Sequence, residues 1–259
     1  MNAVRRSCRV TGAERVGLYT LVRVERSGLE PGVPGQFFML EAPGRLLPRP
    51  FSVCLAPPGE LAFLVDSVGP GTEAIAALEA GDEIAVFGPL GNGYRLDVER
   101  PLLVGGGIGI APLPYLAEQL GGAPRIVAGF RSVAHAEAAS ILPAHAEVVV
   151  DPTLVTDCYL EGWDVLACGP EPMLNAVAAL CAGAGSDGGK AAAARPYGGA
   201  QLAWEAPMAC GYGACYGCVI ELDGALKRLC IEGPVVAATR TRRTPEPASN
   251  SLLLGEVRA

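Results

Sequence analysis

At 259 residues the chain has room for about two domains of roughly 150 residues each, and half of it is hydrophobic, enough to build real cores. Twenty Lys and Arg against 27 Asp and Glu leave a net charge of −7, and no basic run exceeds two residues, which excludes the counterion-displacing surface that nucleic-acid binding needs. Glycine (34) and proline (22) are abundant but fall short of the level, about 25–30%, that marks low-complexity disorder.

The first residues follow their basic side chains with polar ones and offer no apolar segment of the secretory type. The longest uncharged apolar stretch, 101–117, is broken by glycines and prolines and predicts no membrane-spanning helix. A cytoplasmic protein without membrane contact is expected. From Cys8 to about Val98, short apolar or alternating runs (YTLVRVE, GQFFMLEA, PFSVCLA, LAFLVDSV, DEIAVFG) are separated by Gly/Pro turns, the pattern of a small β-barrel or sandwich. One helix interrupts them at TEAIAALEAGD, with Thr72 as its N-cap and Gly81 as its stop. Within this region RPFS (Arg49–Ser52) reads as a turn after a strand, and GPGT (Gly69–Thr72) as a helix start.

From Arg100 the pattern changes to buried strands alternating with helices: PLLVGG, APLPYLAEQLGG, RIVAGF, AHAEAASILP, AEVVVD, WDVLACG and EPMLNAVAALCAG. Continuous apolar strands between helices predict a parallel sheet covered on both faces, of the nucleotide-binding α/β type. The expected organisation is a β-barrel at 1–99, the α/β domain at 100–199 with a flexible Gly/Ala-rich link at 183–199, a cysteine module at 200–238 and a tail at 239–259. His135 and His145, the two histidines, are expected at the surface of the α/β domain.

Nine cysteines in a chain without an export signal argue against a disulfide scaffold. Four of them, Cys210, Cys215, Cys218 and Cys230, follow the spacing C-x4-C-x2-C…C of plant-type [2Fe–2S] sites. A tight loop supplies three thiolates and one later residue closes the second iron, while Gly211, Gly213 and Gly217 let backbone N–H groups approach the sulfurs. A structural zinc site and chance clustering of buried thiols are the alternatives, although zinc prefers two separated Cys/His pairs.

The loop Gly105–Leu113 (GGGIGIAPL) joins a strand to a helix, where backbone N–H groups can meet a pyrophosphate, with Gly105, Gly106, Gly107 and Gly109 as the candidate contacts. It departs from the strict G-x-G-x-x-G fingerprint, and a packing-driven glycine turn is the competing account. No acidic residue ends the next strand; Arg131 stands there instead, and would suit a 2′-phosphate as well. Cys168, Gly169 and Pro170 end another strand of the same sheet, at the edge where such sheets bind ligands. Taken alone, Cys168 reads equally as a small buried residue.

In this order and spacing, RPFS, GPGT, GGGIGIAPL, CGPEPML and EAPMACGYGACYGC…LCIEGPVV resemble the ferredoxin–NADP reductase superfamily, and most of all the electron-transfer subunits of NAD-dependent, type B dihydroorotate dehydrogenases, over about residues 8–238. The resemblance implies a flavin barrel joined to an NAD-binding domain and a small [2Fe–2S] module. It implies FAD contacts from Arg49, Pro50, Phe51, Ser52, Leu64, Val65, Asp66, Gly71 and Thr72. It places NAD at the glycine loop and at Cys168, Gly169 and Pro170, and gives the cluster to the four cysteines. The sequence departs from the family at Asp66, where a basic residue is common, and at Pro207.

NADH yields its electrons as a hydride pair and an iron–sulfur cluster takes them singly, so a flavin between them fits. No convergent acid, base or nucleophile set for substrate chemistry appears in the chain, so no catalytic residue is expected beyond the redox centres. The substrate would be turned over on a partner. By resemblance that partner is an FMN-containing dihydroorotate dehydrogenase catalytic subunit of pyrimidine biosynthesis, in a heterotetramer of two plus two. A related reductase subunit exchanging electrons between NAD(P)H and ferredoxin or another acceptor is the alternative, and a zinc-bearing interaction module is a third reading.

Overall fold

A computed structural model describes residues 3–41, 43–158, 162–183, 199–222 and 224–237. The interior of the expected link, residues 184–198, and the tail at 239–259 lie outside the described residues. No helix among the described residues is long and apolar enough to cross a membrane.

The N-terminal half is an antiparallel sheet of β1 (Val4–Val16), β2 (Tyr19–Glu25), β3 (Phe37–Leu40), β4 (Arg49–Ser52), β5 (Glu60–Val65) and β6 (Glu83–Leu90), in the order β4-β3-β6-β1-β2-β5. The helix α1 (Pro70–Ala76) joins β5 to β6. β1 pairs with β6 through Val4–Arg9 and with β2 through Val10–Val16, and its register shifts between Val10 and Gly12. Such an irregularity bends a strand, which lets one strand serve two walls. The sheet curls until its ends meet just beyond β4: Cys54 N–H donates to Ala62 O, and Ala62 N–H to Leu55 O, both at 2.8 Å. Phe38 and Phe63 cross edge-to-face inside, 5.8 Å apart, among Val22, Leu40, Leu61 and Ile84.

β1 carries no apolar pattern because its exposed residues are Arg5, Arg6, Ser7, Arg9, Ala13, Glu14 and Arg15, and only Cys8, Val10 and Val16 are buried. Arg49–Ser52 is a strand, not a turn; Pro50 fits because β4 lies at the sheet edge, where a missing N–H is tolerated. Thr72 is not an N-cap: α1 begins two residues earlier at Pro70, whose fixed φ suits a first helical position. The helix also ends at Ala76, ahead of Gly81.

The second half is a sheet in the order β14-β11-β10-β7-β8-β9, made of β7 (Pro101–Gly106), β8 (Arg125–Phe130), β9 (Glu147–Val150), β10 (Asp164–Cys168), β11 (Ala200–Ala203) and β14 (Val235–Ala237). All neighbours are parallel except β14, which runs antiparallel to β11. The helices α2 (Leu113–Leu120), α3 (Val133–Ala136) and α4 (Glu171–Gly183) lie between its strands in sequence, and the hairpin β12 (Val219–Leu222) and β13 (Ala225–Arg228) leads into α5 (Leu229–Glu232).

The strands alternate their faces, so Leu103, Ile126 and Leu166 pack with Leu113 and Leu116 of α2, while Leu102, Val104 and Val165 pack with Leu174 and Val177 of α4. The first face also meets Tyr19, Leu21 and Leu64 of the barrel; the second holds Trp204, Cys218 and Cys230 together with Phe37 and Met39. A boundary at 199/200 therefore does not stand. Residues 200–203 and 235–237 are strands of this sheet, and the cysteine segment leaves from one and returns through the other.

Candidate functional site

Where the barrel meets the second sheet, two crevices open side by side. The first, about 470 Å³, is walled by Pro50, Phe51 and Ser52 of β4, by Leu64, and across from them by Cys168 and Trp204. The second, about 590 Å³, runs over the ends of β7, β8 and β10 and is walled by Gly106, Gly107, Arg131, Gly169 and Pro170. Asp66, Ile108 and Glu205 border both, so the two crevices communicate. Their sizes and mixed linings are those of sites for small organic ligands.

Strand alternation sorts the expected contacts. Leu64 faces the first crevice, but Val65 points the other way into the barrel interior and is fully buried there, so its side chain cannot line that site. Arg49 folds its guanidinium onto the first turn of α1, donating from Nη1 to the carbonyls of Leu47 (2.8 Å) and Pro48 (3.2 Å). A β-carbon on Gly71 would lie 2.7 Å from Arg49 Nη2, so glycine is what lets the arginine lie there. Thr72 Oγ1 accepts from the N–H groups of Val68 (3.0 Å) and Gly69 (3.1 Å) and donates to Gly69 O (3.0 Å), closing the turn ahead of the helix.

The four glycines of the loop divide by role. Gly106 and Gly107 line the second crevice, and Gly107 has φ +56, which favours glycine. Gly105 and Gly109 are packing glycines: a β-carbon on Gly105 would sit 2.8 Å from Leu113, and one on Gly109 would press into the Cys168–Gly169 backbone. Cys168 is buried at the crevice wall, and burial with the nearby Glu205 carboxylate keeps it a neutral thiol by raising its pKa. Its side chain forms part of the wall of the first crevice.

His135 is not a free surface residue. Its Nε2 accepts from Arg131 Nε (2.9 Å), its Nδ1 lies 2.7 Å from Ser132 Oγ, and its ring meets Tyr19 edge-on at 6.2 Å. His145 is exposed and lies in the turn before β9. Three crevice residues escaped the sequence reading. Tyr19 comes from the barrel, and its hydroxyl is held protonated by burial and by Asp66. Trp204 is buried, and its Nε1 finds no partner among the described residues. Glu205 follows it; although the residue as a whole is exposed, its carboxyl is crowded and burial raises its pKa. Glu205 opens the EAPMACGYGACYGC motif, but neither that motif nor any pattern around Tyr19 and Trp204 shows that they reach the crevices, which tertiary packing alone decides.

The segment after β11 continues the wall of the first crevice with Ala206, Pro207 and Met208 and then reaches Cys210. The four cysteines form two pairs. Cys218 and Cys230 are buried with their sulfurs 3.2 Å apart, and Cys210 is hydrogen-bonded to Cys215. Burial would raise the Cys210 pKa, but N–H groups of Cys215, Tyr212 and Ala214 aimed at its sulfur bring it down to about 6. Gly217 N–H donates to Cys215 Sγ (3.4 Å), Cys230 N–H to Cys218 Sγ (3.5 Å), and Gly213 N–H to Cys230. Sulfurs in two pairs, met by backbone donors, fit a two-iron centre with thiolate ligands.

Residues 205–242 match the iron–sulfur cluster binding domain of dihydroorotate dehydrogenase B, a stretch that contains all four cysteines. Over 240 residues the chain is 33% identical to the dihydroorotate dehydrogenase B (NAD(+)) electron transfer subunit of Clostridium perfringens, covering 85% of this chain and 89% of that one. The chain belongs to this family. The dihydroorotate dehydrogenase B subunit of Geobacillus kaustophilus agrees, at 36% identity over 253 residues, with 87% and 92% covered. Among solved structures, an NADH-dependent reduced ferredoxin–NADP oxidoreductase shares the fold at a TM-score of 0.70 and 21% identity, over 90% of both chains. Phthalate dioxygenase reductase shares it at 0.60 and 16%, over 85% of this chain and 87% of the other. The barrel-plus-sheet architecture is thus that of ferredoxin reductases, and the cysteine segment is the part that the dihydroorotate dehydrogenase B family model matches.

Proposed function

We propose that the chain is the electron-transfer subunit of an NAD-dependent dihydroorotate dehydrogenase, passing electrons between a partner's FMN and NAD through a [2Fe–2S] centre and FAD. The observation that carries this reading is the physical series along the chain: the glycine-lined crevice opens into the β4-lined crevice, whose wall runs through Pro207 and Met208 to Cys210. When bound, FAD supplies exchange between a hydride donor and single-electron carriers.

Pro50, Phe51, Ser52, Leu64 and Asp66 would bind and orient the flavin. The closed turn of Gly71 and Thr72, with Arg49 lying on it, would take the diphosphate. Asp66 borders both crevices, and its carboxylate would leave the diphosphate to Arg49 and backbone N–H groups. Gly106, Gly107, Gly169 and Pro170 would let NAD approach closely, while the packing glycines Gly105 and Gly109 shape the loop behind them. Cys168 as a neutral thiol, with Trp204 beside it, keeps the wall of the flavin crevice small and uncharged. Cys210, Cys215, Cys218 and Cys230 would hold the cluster.

The partner is an FMN-containing dihydroorotate dehydrogenase catalytic subunit, in an assembly of two plus two, working in the cytoplasm. Leu46, 96% exposed, lies with Leu47, Pro48 and Tyr212 around a crevice that reaches Cys210, an apolar patch suited to docking beside the cluster. The test is co-purification with such a catalytic subunit, followed by NAD reduction with dihydroorotate. Turnover only in the assembled complex is the expected result. Failure to associate, with rapid ferredoxin reduction by the chain and NADH instead, would assign it to the other kind of reductase subunit.

A further inference from the structure

We propose that Arg228 is a positioning cation for the cysteine-held centre, raising the potential at which that centre accepts an electron by bracing and polarising the peptide that faces Cys210. The proposal rests on the reading of Cys210, Cys215, Cys218 and Cys230 as cluster ligands.

Arg228 ends β13 and is half-buried. Its Nη1 lies 3.4 Å from the carbonyl oxygen of Gly213 and 3.5 Å from the hydroxyl of Tyr216, and its Cζ stands 5.1 Å from the centroid of the Tyr216 ring. The Gly213 carbonyl belongs to the same peptide unit as the Ala214 N–H, one of the donors aimed at the Cys210 sulfur. One guanidinium thus pulls on the oxygen end of a peptide whose hydrogen end points at a thiolate, and bonds linked in this way strengthen one another. The N–H of Gly213 itself is donated to Cys230, so the segment braced by Arg228 serves both sulfur pairs.

Tyr216 has φ +59, a left-handed backbone unusual outside glycine, and its ring lies against the guanidinium as a platform. Gly217, directly after it, donates its N–H to Cys215. Arg228 makes no ion pair among the described residues. The nearby Glu232 instead accepts from the Arg228 backbone N–H (2.9 Å) and stands 3.8 Å from Lys227 Nζ.

The electrostatic sign is fixed. A centre held by four thiolates is anionic, and each electron it accepts adds a unit of negative charge. A guanidinium that never deprotonates and N–H groups aimed at sulfur both favour the more negative state. Removing the guanidinium therefore makes the centre harder to reduce.

The experiment is a dithionite titration of the full chain with its flavin and iron, followed by the electron paramagnetic resonance of the reduced centre. Arg228→Met is expected to shift the potential to a more negative value at unchanged iron content, and Arg228→Lys to recover part of the shift. An unmoved potential in Arg228→Met at full iron content overturns the proposal. Should that variant be isolated without iron, Tyr216→Leu decides, since it removes the platform and should move the potential in the same direction; no movement there overturns the proposal as well. An unmodified chain that binds no iron would instead overturn the ligand reading on which the proposal rests.

Discussion

At Gly109 a β-carbon would come within 2.5 Å of the α-carbon of Gly169 and closer still to the carbonyl oxygen of Cys168, all of it backbone that cannot swing aside. Gly109→Ala should therefore push the glycine loop off the end of β10. It should cost about 1–3 kcal/mol of stability in chemical denaturation and slow flavin reduction by NADH in a stopped-flow measurement. Cys215 is the exposed member of the four, and Cys215→Ser should lose the visible iron–sulfur absorption while FAD stays bound. A normal cluster spectrum in that variant would remove it from the ligand set. Glu205 titrates above the ordinary carboxylate value of 4.5 because burial penalises its charge. The folded chain thus holds this proton more tightly than the unfolded chain, so the associated stability is complete below pH 4.5 and is lost as pH climbs through the raised value. Melting curves of flavin-free Glu205→Gln and its parent should then diverge in the variant's favour from acid to neutral pH. A gap constant with pH would contradict the account.

The elements show how far pattern reading reaches. Strands β2, β5 and β6 and the helices α2 and α4 were legible because their apolar spacing matches the face they bury, as in Leu61, Phe63 and Val65 turned into the barrel. β1 was not, since most of its length faces solvent on both sides of a bend and carries polar residues there. β11, at Ala200–Ala203, was hidden because Leu202 is its single large apolar residue, set among two alanines and a glutamine after a glycine-rich link, and only pairing with β10 makes them a strand. The turn before α1 depends on one hydroxyl bonded to three backbone groups of Val68 and Gly69. Thr72→Val keeps the shape but strips the Gly69 N–H of its acceptor, while Val68 N–H still donates to Asp66 O (3.0 Å) and Gly69 O still accepts from Glu73 N–H (2.9 Å). We expect a loss of about 1 kcal/mol and weaker FAD retention on gel filtration, whereas Thr72→Ser should hold both near the parent.

For the whole molecule, the decisive feature is that barrel and sheet share their packing. Tyr94, fully buried after β6, donates its hydroxyl to Ala167 O in β10 at 2.8 Å, and Tyr115 of α2 donates to Gly32 O in the barrel at 2.9 Å. Burial pushes both phenols up and keeps them donors. Each Tyr→Phe change should cost about 0.5–1.5 kcal/mol. Because the two bonds couple the halves, calorimetry of the flavin-free chain should show one transition that moves down in both variants. Two separate transitions in the parent would show that the halves fold independently.

The sequence by itself determined the classes of element, the parallel sheet and the cysteine spacing, because these depend on local periodicity and on chemistry carried by fixed intervals. Among the expected FAD contacts it could not separate Leu64 from Val65, and in the glycine loop it could not separate Gly106 and Gly107 from Gly105 and Gly109. Only the tertiary structure decided those, together with Tyr19, Trp204, Glu205 and the seating of the cysteine segment between β11 and β14. The reason is physical: a side chain's type is local, but the face it presents and the neighbour it meets are set by how distant strands pack.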